Sequence, residues 1–215
     1  MPDKRSYRLL CPIARALDVV GDRWALLILR DLHAGPARYQ ELQEGLGMAT
    51  NLLSTRLVEL TTAGLIQKPN PGRTAYELTA LGRQTDRFLW ELAGFGTLLD
   101  REPDQREPQN LRTMALPLRM LFEPVWPESG FVLRLLVADD TFTIMSTDSR
   151  VEVEYGPSDT PAQLTARLAY TAFLELAEGK MDPNDFVAHH VNIIDGAEHR
   201  NELHSLLRKA FGRPA

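Results

Sequence analysis

The stretch NLLSTRLVELTTAGL (51–65) returns a leucine every three to four positions, and most of the side chains between are Asn, Ser and Thr. At 100° per residue, Leu53, Leu57 and Leu60 share one side of a helix that Gly64 ends. Asn51, Thr55, Val58 and Thr62 fall opposite, with Ser54 at their edge. The same period predicts helices over 11–20 and 23–32, and a short one marked by Tyr39, Leu42 and Leu46. Pro12 suits the first turn of the first helix, Gly21 breaks it, and Asp22 caps the second. HAGPAR and GMAT read as turns, with Thr50 expected as the cap of the helix that follows. The period then shortens to two. Strands are expected at 66–69 and 74–78 around the turn Asn70-Pro71-Gly72-Arg73. One long helix is expected from 79 to about 99. Three helices, a fourth after a tight turn, a hairpin and a long helix are the order of a mainly α winged helix-turn-helix.

The pattern changes after DREPDQREPQN (100–110), which has no apolar residue and two prolines. A linker over 101–110 is expected to separate domains at 1–100 and 111–215. A helix is predicted at 111–122, with Met114, Leu118, Leu121 and Phe122 on one side. Strands at 131–138, 141–147 and 150–155 form a meander through Asp139-Asp140 and Asp148-Ser149. A helix over 161–178, a short helix from Asp182, a strand at 191–194 and a helix over 197–211 complete an α+β domain. Strand 131–138 reads as apolar on both faces, with Arg134 its sole charge, as in a sheet covered on both sides.

Composition narrows the classes. No apolar run nears the ~20 residues that cross a bilayer, so no membrane partner is expected. The start MPDKRSYRLL lacks a signal-peptide core, and a single cysteine excludes an intramolecular disulfide, so the expected location is cytoplasmic. Net charge is −5 over 215 residues, but it is uneven. Residues 1–100 hold 12 Lys and Arg against 11 Asp and Glu, a net +1, whereas residues 101–215 hold 12 against 18, a net −6. Charge therefore permits DNA binding by the first half without demanding it.

The outer side of the helix at 51–63 carries short groups that donate and accept hydrogen bonds. Asn51, Ser54 and Thr55 suit base edges in a major groove, and Val58 suits a thymine methyl. The free N–H groups of its first turn, with Thr50, suit a phosphate. In isolation such a face is simply solvated; the neighbouring helix, turn and hairpin favour double-stranded DNA. Arg56 falls near the leucine side and reads as structural or phosphate-binding. Arg73, at the hairpin tip, can enter a minor groove or clamp a phosphate, and Lys68 and Arg38 are further phosphate candidates. Leu81, Thr85, Phe88, Leu92, Phe95 and Leu99 are spaced 4, 3, 4, 3, 4. That is a seam for a partner helix in a homodimer, or for packing within one subunit. In the second half, Leu118, Phe122, Phe131, Leu133, Ile144, Leu168 and Phe173 are candidates to line a pocket for a small hydrophobic ligand, or to fill a solid core.

Cys11 stands before Pro12 at a helix start, with Arg8 and Arg15 near in sequence. These surroundings favour a reactive thiol; the other reading is a small buried hydrophobe. Side chains of the adjacent pair His189-His190 diverge, so no metal site is expected. Asp139-Asp140 reads as a turn. There is no glycine-rich phosphate loop or nucleophile elbow, so no catalytic residue and no cofactor is expected.

The segments CPIARALDVVGDRWALLILRDLHAGPARYQEL, LSTRLVEL…AGLI and YELTALGR resemble the HxlR-type winged-helix regulators of bacteria over about residues 8–100. The resemblance implies a dimeric DNA-binding repressor or activator. Relatives with a cysteine at the matching position include thiol-based sensors. Ala49 departs from the capping Ser of many relatives. FTIMSTDSRVEVEYG, FLELAEGKMDPNDF and IIDGAEHRNELHSLLRKAF resemble, more loosely, a sterol-carrier-type domain, which implies helices over a sheet around an apolar tunnel. The leading expectation is an effector-responsive dimeric regulator. The alternatives are a redox- or electrophile-sensing regulator using Cys11, and a lipid carrier whose winged helix binds protein.

Overall fold

A computed structural model describes residues 6–68, 74–100, 110–127, 130–147 and 150–212. The turn at 70–73 with Arg73, the pair Asp148-Ser149 and residues 101–109 of the expected linker lie outside the described residues. The chain divides into two compact units, one holding the residues up to Leu89 with Asn110, the other Trp90–Asp100 and the chain from Leu111 onward.

The first unit is a winged helix-turn-helix. Helices α1 (Pro12–Val20), α2 (Arg23–Leu32), α3 (Tyr39–Leu46) and α4 (Thr50–Thr62) precede β2 (Ile66–Gln67) and β3 (Ala75–Leu78). Asp22 caps α2 by accepting from the Trp24 N–H at 2.9 Å. Gly47 and Gly64 take φ of +61° and +72° at the ends of α3 and α4, a conformation that glycine adopts without strain. The core is built from Ile28, Leu29, Leu42, Leu53, Leu57 and Leu60, all essentially fully buried.

Three local expectations are corrected here. HAGPAR is not only a turn: Ala37–Arg38 form β1, which pairs with Tyr76 and Ala75, so the wing sheet has the order β1-β3-β2. Thr50 does not cap α4; Ala49 occupies that position without a side-chain bond. The helix expected over 79–99 is two, α5 (Ala80–Arg83) and α6 (Asp86–Thr97). Thr85 sits in the break, buried, with its hydroxyl on the Gly82 carbonyl at 2.7 Å and 2.9 Å from His33 Nε2. Side-chain bonds to the backbone offer the chain an alternative to the helical ladder, and here one ends it.

The second unit is α+β. A 3-10 turn over Leu111–Met114 leads into α7 (Ala115–Phe122), then β4 (Leu133–Val137), β5 (Asp140–Thr147) and β6 (Arg150–Tyr155). β7 (Leu164–Leu168), α8 (Tyr170–Ala177), α9 (Pro183–His189), β8 (Val191–Asp195) and α10 (Arg200–Phe211) follow. The sheet order is β6-β5-β4-β7-β8, with β4 and β7 parallel and every other pair antiparallel. The helix expected over 161–178 is therefore a strand followed by a helix. Leu164, Ala166 and Leu168 are buried while Thr165 and Arg167 are less so, a period of two that the sequence carries and that pairing with β4 realises.

The two faces of β4 differ in what covers them. Pairing puts Leu133 beside Ile144 and Leu164, and Leu135 beside Phe142 and Ala166, so one face is uniformly apolar. The opposite face carries Arg134, Leu136, Thr141 and Thr143. Arg134 reaches the Ser158 carbonyl at 3.2 Å and the Thr160 carbonyl, which holds the β6–β7 connection over that face. Asp140 is no idle turn residue: it accepts from the Leu111 N–H at 3.0 Å and from the Tyr155 hydroxyl. The buried Arg112 guanidinium lies 4.9 Å from the centre of the same Tyr155 ring.

Gly82 has no room for a side chain, since a Cβ there would stand 2.0 Å from the Leu65 carbonyl oxygen. Gly82→Ala is expected to cost about 1–3 kcal/mol through overpacking. Gly94→Ala, at a helical position with open space around it, is expected to be neutral or stabilising. Thermal unfolding followed by circular dichroism compares the two.

Candidate nucleic-acid interface

The seat of α4 decides what it shows to solvent. Each buried leucine contributes ~1.5–3 kcal/mol, so the three together hold the helix at one rotational setting. Asn51, Ser54, Thr55 and Val58 then face out, Val58 with 66% of its surface exposed. The first turn, which lacks a side-chain cap, is braced from α3 instead. The Tyr39 hydroxyl donates to the Thr50 carbonyl at 2.7 Å and lies 3.1 Å from Ser54 Oγ. Gln43 Nε2 donates to Thr50 Oγ1 at 2.9 Å. Thr55 donates to the Asn51 carbonyl at 2.9 Å.

Arg56 is turned away from this face. Its guanidinium pairs with Asp22 at 2.9 Å and with Glu59. Burial opposes its charge, but the hydrogen bonds and charges of Glu59 and Asp22 outweigh that and raise its pKa above the usual arginine value. Asp22 thus serves both as the cap of α2 and as an anchor for α4. Lys68, exposed beside the wing, lies 4.9 Å from the centre of the Tyr76 ring. Arg38 is exposed at the start of α3, where its backbone N–H donates to Glu41. Arg73 lies outside the described residues.

The seam residues fall on two helices. Leu81 is exposed on α5, and Phe88, Leu92, Phe95 and Leu99 are exposed on or just past α6. Every residue from 91 to 100 is exposed. The sequence reading missed a second apolar face. Ile13 and Leu17 are exposed on α1 and Leu10, just before it, completely so, and their 3- and 4-residue steps were the available signal. It also missed the bracing role of Tyr39 and Gln43, which no period marks. Cys11 is a half-buried free thiol at the N-cap of α1.

In the second unit Leu118, Phe122, Phe131, Leu133, Ile144, Leu168 and Phe173 are all buried. Trp126 joins two of them, its ring 5.8 Å from Phe122 and 6.0 Å from Phe131. Its buried indole N–H has no hydrogen-bond partner among the described residues.

Residues 19–103 match the model of the HxlR-like helix-turn-helix family. An uncharacterized HTH-type transcriptional regulator of Synechocystis is 36% identical over 93 residues, covering 41% of this chain and 69% of that protein. One of Mycobacterium tuberculosis is 41% identical over 75 residues, covering 33% of this chain and 48% of its own length. The chain thus spans about two thirds of the first and half of the second. Among solved structures, the UbiJ-SCP2 ubiquinone synthesis protein aligns with 64% of this chain and 99% of its own, at 15% identity and a TM-score of 0.31.

Replacing Arg56 by Ala is expected to destabilise the chain by about 1–2 kcal/mol, the charged hydrogen bonds being discounted for partial exposure. Urea titration measures it. An unchanged midpoint would show that the Arg56 ion pairs do not anchor α4.

Proposed function

Because this chain belongs to the HxlR-like helix-turn-helix family of transcriptional regulators, we propose that it reads double-stranded DNA as a symmetric dimer through α4, with a small apolar or amphipathic effector of residues 111–215 changing that binding. The observation that carries the DNA reading is the outer side of α4. It is exposed, it is lined by short uncharged groups, and the leucines opposite fix it in place. Thr50 and the first-turn N–H groups supply a phosphate site, with Arg38, Lys68 and Arg73 as further phosphate contacts.

The apolar row Phe88, Leu92, Phe95 and Leu99 supports dimerisation, since exposed apolar residues at 4- and 3-step spacing gain by covering one another. A two-fold dimer sets two copies of α4 about one turn of DNA apart. Support for an effector is the Trp126 N–H, which has no partner among the described residues and lies by Phe122 and Phe131: a buried donor without an acceptor costs about 1–3 kcal/mol, which a ligand oxygen would recover. Such a ligand controls DNA binding only if it prefers the DNA-competent or the incompetent state. A second reading rests on Cys11, half-buried at the start of α1 beside the exposed Leu10 and Ile13. Its oxidation would alter a surface suited to assembly.

Sedimentation at micromolar concentration is expected to give a dimer, and Phe95→Glu to shift it toward monomer and to weaken retardation of a selected duplex at least tenfold. A wild-type monomer that retards no selected duplex would sink this reading.

Titration calorimetry of the full chain with fatty acids, acyl thioesters and hydrophobic aromatics tests the effector. Binding should weaken in Trp126→Phe and should change DNA affinity in the wild type. Loss of DNA binding on electrophile treatment that is absent in Cys11→Ser would instead favour the thiol reading.

A further inference from the structure

The hydroxyl protons on the outer side of α4 are already assigned by the bonds they make. A phenol has one proton, and Tyr39 gives its proton to the Thr50 carbonyl. The contact between Tyr39 Oη and Ser54 Oγ, at 3.1 Å, must then be donated by Ser54. Thr55 likewise gives its proton to the Asn51 carbonyl. Ser54 and Thr55 are left with lone pairs alone to offer. Thr50 is the reverse case: the Gln43 amide fills one of its lone pairs, so its own proton is free to point outward. Asn51 is exposed and keeps both its amide N–H groups and its carbonyl. Arg56, the sole cation in α4, is held by Asp22 and Glu59.

We infer that α4 selects adenine at the positions facing Asn51 and an amino-bearing base, adenine or cytosine, at those facing Ser54 and Thr55, with Tyr39 as the positioning residue that makes Ser54 an acceptor. The chemistry follows from what each base shows in the major groove. Adenine offers the N6 donor beside the N7 acceptor, which a free carboxamide meets with two bonds. Guanine offers only acceptors, O6 and N7, and is read by a free arginine or lysine, which this helix lacks. Acceptor-only hydroxyls face an amino group favourably and guanine unfavourably. Val58 adds a contact for a thymine methyl. The outward Thr50 proton suits a phosphate oxygen, which only accepts. The inference rests on the reading that α4 enters the major groove.

The test uses the full chain and duplexes selected from a randomised pool. Selected half-sites should hold adenine at a position where purine or 7-deazaadenine lowers affinity at least tenfold, and Asn51→Ala should erase that penalty. Tyr39→Phe should relax base preference at the neighbouring position five- to tenfold, and weaken unselected duplexes by much less than it weakens the selected one. Ser54→Ala added to Tyr39→Phe should lower affinity for all bases at that position alike and leave the relaxed preference as it is. A merely structural Tyr39 would weaken selected and unselected duplexes equally, and that result removes its positioning role. Enrichment of guanine at the position that Asn51→Ala relaxes would overturn the inference while leaving DNA binding by α4 intact. If no duplex is enriched, the inference and the reading beneath it fall together.

Discussion

The rotational setting of α4 is the constraint on which the first unit turns. Once Leu53, Leu57 and Leu60 are in the core, every other side chain of the helix is assigned to a direction at 100° steps. The rest of the unit then acts on a helix that cannot roll. Asp22 and Glu59 draw Arg56 to the flank, and Tyr39 and Gln43 secure a first turn that has no cap of its own. A helix start without a capping side chain leaves orphan N–H groups. Here that leaves them available to an external anion while the fold is kept by α3.

In the second unit the corresponding constraint is the difference between the two faces of the sheet. Register places Leu133, Leu135, Val137, Phe142, Ile144, Leu164, Ala166 and Leu168 together, and Leu118, Phe122, Phe186 and Leu206 of α7, α9 and α10 are buried as well. The other face is organised by charge instead. Arg134 ties down the 156–163 connection, and that connection is what lets the chain pass from edge strand β6 to β7 on the far side of β4.

Much of this could be read from the sequence, because burial on one side leaves a period. The bounds of α2, the presence of the short α3 and of the meander, and the end of the last helix follow from apolar spacing and from caps such as Asp22, whereas the start of that last helix moves from 197 to Arg200 after a 3-10 turn. What escaped depended on partners distant in sequence. β1 is two residues long and is a strand only because β3 lies beside it. The segment LTARL runs straight into a stretch of helical composition, and only pairing with β4 decides in favour of its alternation. The break at Thr85 is buried against His33, 52 residues earlier, a contact that no local pattern marks. At the candidate interface the direction of each side chain was legible, but the sharing of protons was not. Tyr39 counts as an apolar mark on α3 until its hydroxyl is seen against Thr50 and Ser54.

The commitment of Arg56 to Asp22 and Glu59 also bears on how such a unit would hold DNA of arbitrary sequence. Affinity for arbitrary sequence comes from cations displacing the counterions around phosphates. A helix whose one cation is already neutralised, in a half-chain of net charge +1, gathers little of that affinity. Affinity for arbitrary sequence then falls to cations outside this helix, such as the phosphate contacts proposed for Arg38, Lys68 and Arg73, so base reading and phosphate binding are carried by different parts of the unit.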